Sequence, residues 1–328
     1  MTIDEWNTLE LKLAHHARER GATDLHLRRD RVPLLRINGQ LRRAEDAPRP
    51  DDWPAEILGY SRTEMRHGEH GAVRRTITTH NDSPDNRDTC VYRFPHETPE
   101  ITALDLSPNL RKMLSHRHGL VVIASRPRNG RSTSLAAAIE FLTTGDGNVS
   151  PRHVANFDEH NEYPGAGEPD FRTIVVTEQR FSTKADHDAV VTDAYGDRKI
   201  IKNALRAACN GTLVVLGMHG SSFSQVLRKL LNVHGAAERE ATGHDLAEAL
   251  IGVMHQELVP GTEDRLRCVT DTTLTNTRLK EALRRGNLEA VSKHTPLVDG
   301  RLWNLRRLLQ TEAITRETFD AYGGNRQQ

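Results

Sequence analysis

The sequence has no excess charge of either sign, no long apolar run and few cysteines, and each absence excludes a class of protein. Lysine plus arginine (45) equals aspartate plus glutamate (45), which argues against a protein that mainly coats nucleic acid or an anionic membrane. The longest apolar stretches, 120–124 and 213–216, are far shorter than the roughly 20 residues of a membrane-spanning helix. The three cysteines, Cys90, Cys209 and Cys268, form no C-x-x-C pair and are typical of free thiols in a reducing compartment. Without a signal-peptide pattern at the N-terminus, the expected location is the cytoplasm.

The chain is long enough for two domains. It has 328 residues, and domains commonly contain about 100–200 residues. Its 27% of charged and 36% of hydrophobic residues are typical of a polar but foldable globular protein. We predict a boundary near residues 95–115, with a first domain over 1–100 and a second over 101–328.

The N-terminal region predicts a small α+β module. Apolar residues at helical spacing share one face of the first segment: Ile3, Trp6, Leu9, Leu13 and Ala17. Thr2 and Glu5 form a capping box before this helix, and Gly21 ends it. Short strand-like runs follow at 24–27, 33–37 and 40–42. Between about 45 and 93 the pattern predicts only a fragmentary sheet and long loops.

The second half alternates apolar runs with helical patterns. Strands are predicted at 119–124, 153–157, 173–177, 189–192 and 212–217, and helices at 132–142, 198–208 and 222–232. This alternation favours a mostly parallel sheet with helices on both faces. The tail from Asp245 to Tyr322 is predicted to be helical, with a capping signature at Asp245 and Glu248 and a stop at Pro260-Gly261.

The most informative segment is a strand, a short loop and a helix between residues 119 and 142. The loop ends in Gly130, Arg131, Ser132 and Thr133, the layout in which backbone N–H groups bind phosphates at a helix N-terminus. The motif G-x-x-x-x-G-K-[ST] has glycine where this chain has Ser125, and lysine at position 131. Taken alone, the loop favours a plain strand-turn-helix connection by about two to one, because short motifs recur by chance.

Segments along nearly the whole chain strengthen the phosphate-site interpretation. They are residues 22–39, the loop 125–133, the acidic segment 153–163, the dipeptide Gln179-Arg180, the run 186–219 and the C-terminal segments 278–287 and 305–322. In this order they resemble the N-terminal signature, Walker A, Asp box, Walker B, His box and C-terminal helices of the type II and type IV secretion ATPases. Within that family the resemblance is to the pilus retraction motors most of all.

The resemblance implies an α/β fold. In the family, an N-terminal α+β domain of the PAS-like type precedes a RecA-like P-loop domain with a helical C-terminal extension. It also implies a hexameric ring in which nucleotide lies between the two domains and neighbouring subunits supply arginines. The platform at the inner-membrane base of a pilus or secretion machine is the implied partner, with no nucleic acid.

The resemblance also assigns site residues. The implied nucleotide contacts are Ser125, Asn129, Gly130, Arg131, Ser132 and Thr133. Ser132 and Asp193 would hold Mg²⁺, and the implied catalytic residues are Glu159, Glu162, Asp193 and His219. Phosphoryl transfer needs such a set, because charge on the β- and γ-phosphates must be neutralised and the attacking water must be oriented.

Three departures from the family pattern weaken the expected chemistry. Arg131 keeps the positive charge of the lysine, but its planar guanidinium is larger. Arg128 places a side chain where the family has glycine. The catalytic glutamate of the family falls on Ala194, and Asp193, one residue earlier, should point to the other face of its strand. We therefore expect binding of ATP and Mg²⁺ to be weak or lost.

The sequence leaves three functions open. The leading hypothesis is a hydrolysis-impaired pilus or secretion motor homologue, acting as an assembly or regulatory subunit in a ring of its own or with an intact motor. The second is an active hexameric ATPase that powers pilus retraction, with Asp193 or Glu159 replacing the missing base. The third is a scaffold that binds no nucleotide.

Overall fold

The computed structural model describes residues 2–28, 31–47, 62–68, 71–78, 89–94, 98–157, 163, 169–174, 187–263, 265–293 and 297–323. These residues form two compact units. The first contains the described residues up to 94 together with Tyr163, and the second contains the other described residues from 98 onwards. No helix in these ranges is both long enough and apolar enough to cross a membrane.

The first unit is one helix on an antiparallel sheet. Its elements are α1 (Ile3–Glu19), β1 (Asp24–Arg28), β2 (Leu34–Ile37), β3 (Gln40–Arg43), β4 (Arg62–Gly68), β5 (Gly71–Thr78) and β6 (Thr89–Arg93). The strand order is β3-β2-β1-β6-β5-β4, and every described pairing in this sheet is antiparallel. The predicted fragmentary sheet at 45–93 therefore contains three strands that join the first three.

Helix α1 forms as its sequence predicts. Thr2 and Glu5 make the reciprocal hydrogen bonds of a capping box, and Gly21 follows the helix with φ +65°. Trp6, Leu13 and Ala17 are almost fully buried and pack in one apolar cluster with residues of β1, β2, β5 and β6. The predicted apolar face of the helix is therefore the face that covers the sheet.

The second unit is built on an eight-stranded sheet. Its strands are β7 (Gly119–Ser125), β8 (Val154–Phe157), β9 (Arg172–Ile174), β10 (Ala189–Asp193), β11 (Leu213–His219), β12 (Leu250–Pro260), β13 (Leu266–Leu274) and β14 (Leu297–Asp299). Its helices are α2 (Pro108–Leu114), α3 (Arg131–Thr144), α4 (Arg198–Cys209), α5 (Phe223–Leu231), α6 (Arg239–Ala249), α7 (Thr277–Arg284), α8 (Leu288–Lys293), α9 (Arg301–Gln310) and α10 (Arg316–Gly323), with a 3₁₀ turn at Pro169–Phe171.

The predicted mixed α/β architecture is confirmed. The strand order is β14-β13-β12-β7-β11-β10-β8-β9, and the pairs from β12 to β9 are parallel. Met218 and Ala194 belong to the apolar cluster that includes residues of α4, α5 and α6. Gly217 lies against Leu135 of α3, and because side chains alternate along a strand, α3 covers the opposite face.

The prediction of an all-helical tail was wrong. Residues 250–260 and 266–274 form the antiparallel hairpin β12–β13, and β12 pairs in parallel with β7. Asp245, predicted to cap a helix, lies inside α6, and Pro260 ends a strand. Strand β12 extends the parallel sheet by one strand beside β7. Its apolar residues are therefore buried because β12 pairs with a strand that is distant in the sequence.

Candidate functional site

The candidate site lies at the carboxyl ends of four neighbouring strands, within the second unit. Strand β7 lies between β12 and β11, and β10 pairs with the other side of β11. The register places Ser125 beside both His219 and Gln256. Asp193 stands beside Gly217. Ligands of open α/β sheets bind at this edge, so the topology brings the motif residues to a suitable place.

The loop between β7 and α3 keeps a backbone shaped for glycine. Arg128 has φ +64° and Gly130 has φ +76°, both in the left-handed region. A side chain at Arg128 is strained there, because this region suits glycine. Helix α3 begins after Gly130, whose carbonyl accepts the N–H of Ser134 at 3.0 Å. Arg128 thus adopts a backbone conformation typical of glycine.

Asn129 ties the loop to β12. Its Nδ2 donates to the carbonyl of Pro127 at 3.0 Å, and its Oδ1 accepts the backbone N–H of Leu258 at 2.9 Å. The side chain of Gln256 donates to the carbonyl of Asn129 at 2.6 Å. The loop therefore holds its shape through bonds to its own backbone and to the neighbouring strand.

Arg131, in the place of the Walker lysine, turns into the protein. Its side chain is 6% exposed, and its Nε donates to Oδ2 of Asp193 at 2.7 Å. Its guanidinium carbon lies 5.5 Å from the centroid of the Tyr195 ring, within the range of a cation–π contact. The charge of this arginine is thus paired inside the chain.

His219 completes the cluster. Its Nδ1 lies 2.8 Å from Nη1 of Arg131. Because a guanidinium can only donate, Nδ1 must accept, and the ring then carries its proton on Nε2 and is neutral. Burial, followed by the charge of Arg131, lowers the pKa of His219, which favours the same neutral form. We call Arg131, Asp193 and His219 the arginine cluster.

The carboxylate of Asp193 has a donor on each oxygen. Arg131 binds Oδ2, and the backbone N–H of Tyr195 donates to Oδ1 at 3.1 Å. Asp193 faces α3, whereas Ala194 packs in the cluster on the opposite face. The residues present therefore do not fit a Mg²⁺ ion at Asp193, since a guanidinium already binds its carboxylate, and we derive no catalytic step through such an ion.

The other predicted residues are placed less closely together. Ser125 is buried, and its Oγ donates to the carbonyl of Arg126 at 2.8 Å. Ser132 and Thr133 are half-buried in the first turn of α3. Glu159 and Glu162 lie outside the described residues, as do Gln179 and Arg180. The described part of the chain contains no group of three or more His, Cys, Asp or Glu side chains arranged to hold a metal ion.

Sequence reasoning missed three residues of this site. Tyr195 packs against Arg131, and Gln256 and Leu258 hold the loop. Tyr195 carried no motif signal. The two β12 residues were missed because their segment was predicted to be helical; the β-branched run after Cys268 is a strand signal that would have exposed the hairpin.

Comparison with known proteins finds similarity to pilus and secretion ATPases. No family model matches it. It is 24% identical over 271 residues to the type IV pilus retraction ATPase PilT of Pseudomonas aeruginosa, covering 75% of this chain and 76% of PilT. It is 22% identical over 297 residues to the type IV pilus ATPase PilU of the same organism, covering 82% and 75%.

The fold agrees with these relatives. The crystal structure of the pilus retraction motor PilT with bound ADP matches with a TM-score of 0.75 and 20% identity, covering 99% of this chain and 98% of that one. The ATPase DotB of Legionella pneumophila matches with a TM-score of 0.74 and 16% identity, covering 98% and 95%. At such identities the structural likeness establishes the fold alone. The resemblance to the type II and type IV secretion ATPases that the ordered motifs indicate is therefore confirmed.

Proposed function

We propose that this protein is a hydrolysis-impaired homologue of type IV pilus and secretion motors that acts as an assembly or regulatory subunit. The observation that carries the proposal is the arginine cluster. A lysine in a phosphate loop must reach the β- and γ-phosphates of the nucleotide, whereas Arg131 is buried and bonded to Asp193 and His219. The positive charge of Arg131 is therefore paired with Asp193 within the protein.

Two further features support impaired hydrolysis. Ala194, at the position of the catalytic glutamate of the family, has no group that can orient or deprotonate water. Asp193 is bonded through both oxygens and faces the opposite side of the sheet. Binding of ATP and Mg²⁺ is accordingly weak or lost, although Ser132 and the helix N-terminus of the phosphate loop remain.

The proposed function is assembly with other subunits. Within the proposal, residues 1–100 form a PAS-like domain and residues 101–328 form the RecA-like domain. The subunit joins a hexameric ring, either its own or one built by an intact motor. The place of action is then the cytoplasmic side of the inner membrane, at the base of a pilus or secretion machine.

Measurements of ATP turnover and ATP binding on the purified full-length chain test the proposal. Loss of a catalytic base or orienting group costs about 10²–10⁴-fold in rate, so turnover should fall at least that far below that of PilT assayed alongside. Ser132→Ala serves as the control for a contaminating ATPase, because any residual activity of this site should depend on Ser132. Turnover equal to that of PilT and abolished by Ser132→Ala would overturn the proposal and favour an active motor.

A further inference from the structure

A cavity lies beside the arginine cluster on the face of the sheet covered by α4 and α5. Its volume is about 340 Å³, within the range of small-molecule sites. It is lined by Gly196, Arg198, Ile201, Met218, His219, Lys229, Asn232 and Val233. The cavity is near the carboxyl ends of β10 and β11, the edge at which open α/β sheets bind ligands.

The apolar part of the lining is part of the core. Ile201, Met218 and Val233 are each less than 5% exposed and belong to one buried cluster. They come from α4, from β11 and from the residues after α5, so three elements fix the walls. Core packing therefore fixes this side of the cavity.

The charged part of the lining is entirely basic. Nη2 of Arg198 donates to the carbonyls of Asn232 and Val233 at 2.7 and 3.1 Å, just beyond the C-terminus of α5. Nζ of Lys229 donates to the carbonyl of His219 at 2.7 Å. These bonds to backbone oxygens hold both exposed cations at the cavity.

Neither cation is neutralised. Among the residues that the structure describes, no carboxylate lies within 4.0 Å of Arg198 or Lys229. Arg198 uses one of its three nitrogens in hydrogen bonds, and Lys229 uses one of its three N–H donors. Two exposed cations with unused donors thus line a cavity whose lining contains no acidic residue.

We propose that this cavity binds a small organic anion, in which a carboxylate contacts Arg198 and Lys229 and an apolar body occupies the cavity. Charge-assisted hydrogen bonds from two cations supply the specificity for an anion. The volume of the cavity suits an organic body larger than a simple inorganic ion. Binding of this anion does not require nucleotide, so a failure of this proposal can be distinguished from a failure of the proposed function.

The test uses 4-(trifluoromethyl)benzoate as a probe, with the full-length protein and ¹⁹F NMR detection. Its uncharged analogue, 4-(trifluoromethyl)benzamide, has the same apolar body. We expect the benzoate to bind with a dissociation constant on the order of 1 mM or lower, and the benzamide to bind about tenfold more weakly because it lacks the charge. Equal binding of the two compounds, or no binding of the benzoate, would overturn the proposal.

Variants locate the binding. Lys229→Met and Arg198→Gln should each weaken benzoate binding about tenfold, since each removes a charge-assisted hydrogen bond. Arg228→Gln is the matched control, because it removes an exposed positive charge from the same helix at a position that does not line the cavity. Thermal unfolding of each variant shows whether it folds. If Arg228→Gln weakens binding as much as Lys229→Met, or if the folded Lys229→Met binds normally, the site is not this cavity.

Discussion

Nε of Arg131 lies 2.7 Å from Oδ2 of Asp193, and both side chains are almost fully buried. Arg131, at the position that the resemblance assigns to the Walker lysine, is therefore bonded to the residue before Ala194, the position assigned to the catalytic glutamate. In an active phosphate loop the lysine binds nucleotide and the acidic side chain serves the metal ion. Here the two side chains are bonded to each other.

The buried pair is compatible with stability only because its remaining polar groups are bonded. Taking two charges out of water is costly, and the attraction offsets this cost only when geometry and further hydrogen bonds are good. Tyr195 supplies an N–H to Asp193, and His219 accepts from Arg131. The arginine cluster is thus a connected network, and removing one member should leave another uncompensated.

The first prediction concerns that pair. Arg131→Met should lower the free energy of unfolding by about 3–5 kcal/mol, because it leaves the Asp193 carboxylate buried and unpaired. The double variant Arg131→Met with Asp193→Leu should recover most of this loss, since no unpaired charge then remains. Urea denaturation followed by circular dichroism measures both.

The matched control for this prediction is Arg284→Met, which breaks the exposed contact between Arg284 and Glu248 and should change stability little. A single Arg131→Met variant as stable as the wild type, or a double variant no more stable than the single, would contradict the network.

The second prediction concerns acidification. Burial and Arg131 lower the pKa of His219 in the folded state, so between its folded and unfolded pKa the unfolded chain binds more protons. The contribution of His219 to stability is therefore complete above its ordinary pKa of about 6.5 and is lost as the pH falls through that value toward the folded pKa.

Replacement of the ring isolates this contribution. In His219→Asn the amide oxygen can still accept from Arg131 but does not titrate. Melting temperatures measured between about pH 5 and pH 7.5, around the ordinary histidine pKa, should fall less on acidification for the variant than for the wild type. His255, whose pKa is also lowered by burial, is present in both proteins and cancels in the comparison. Parallel curves for the two proteins would rule out a titrating role for His219.

Much of the second unit could be predicted from its sequence, because its parallel strands are short buried runs next to clear helical patterns. β7, α3, β10, α4 and β11 were all predicted within a few residues of their bounds. β12 was not, because a buried apolar run has no period that distinguishes a strand from a helix. What makes it a strand is its pairing with β7, more than 120 residues earlier.

Only part of the site could be predicted from the sequence, for a related reason. The order of the motifs predicted which residues lie together at the edge of the sheet, because these residues are at the ends of the strands. The direction of the Arg131 side chain was not predictable, because it depends on Asp193, 62 residues away, and on the face that β10 turns toward α3. The alternation rule did predict that Asp193 and Ala194 face opposite sides.

The third prediction concerns the phosphate loop. The combined change Ser125→Gly, Arg128→Gly and Arg131→Lys should strengthen binding of ATP, measured by calorimetric titration. Glycine at 128 removes the strain of φ +64°, and lysine at 131 can reach a phosphate. The changes together should improve affinity at least about tenfold, the effect of one good charge-assisted contact.

Arg126→Gln is the control for the loop, because it alters an exposed arginine between two of the changed positions without restoring the motif. Affinity that stays the same in the combined variant would mean that this loop is not a nucleotide site in this protein.

The fourth prediction concerns assembly, because the proposed function leaves the protein only the surfaces by which it binds other subunits. In the first unit, Asp24 of the N-terminal signature is buried and bonded by Nε of Arg93 at 3.1 Å. Asp24 is thus part of the packed interior of the first unit. Head-to-tail contacts between identical subunits close into a ring when the rotation permits it.

We therefore expect sedimentation of the full-length chain at high concentration to show a species larger than the monomer, either alone or after mixing with purified PilT. A mixed species that contains both proteins would favour a regulatory subunit, and a homomeric ring would favour an independent assembly role. Adding ATP should change the homomeric ring little, since the proposed function includes weak or lost binding of ATP. A strict monomer in both samples would remove the motor-assembly interpretation, because the surfaces that the proposal needs would then not bind.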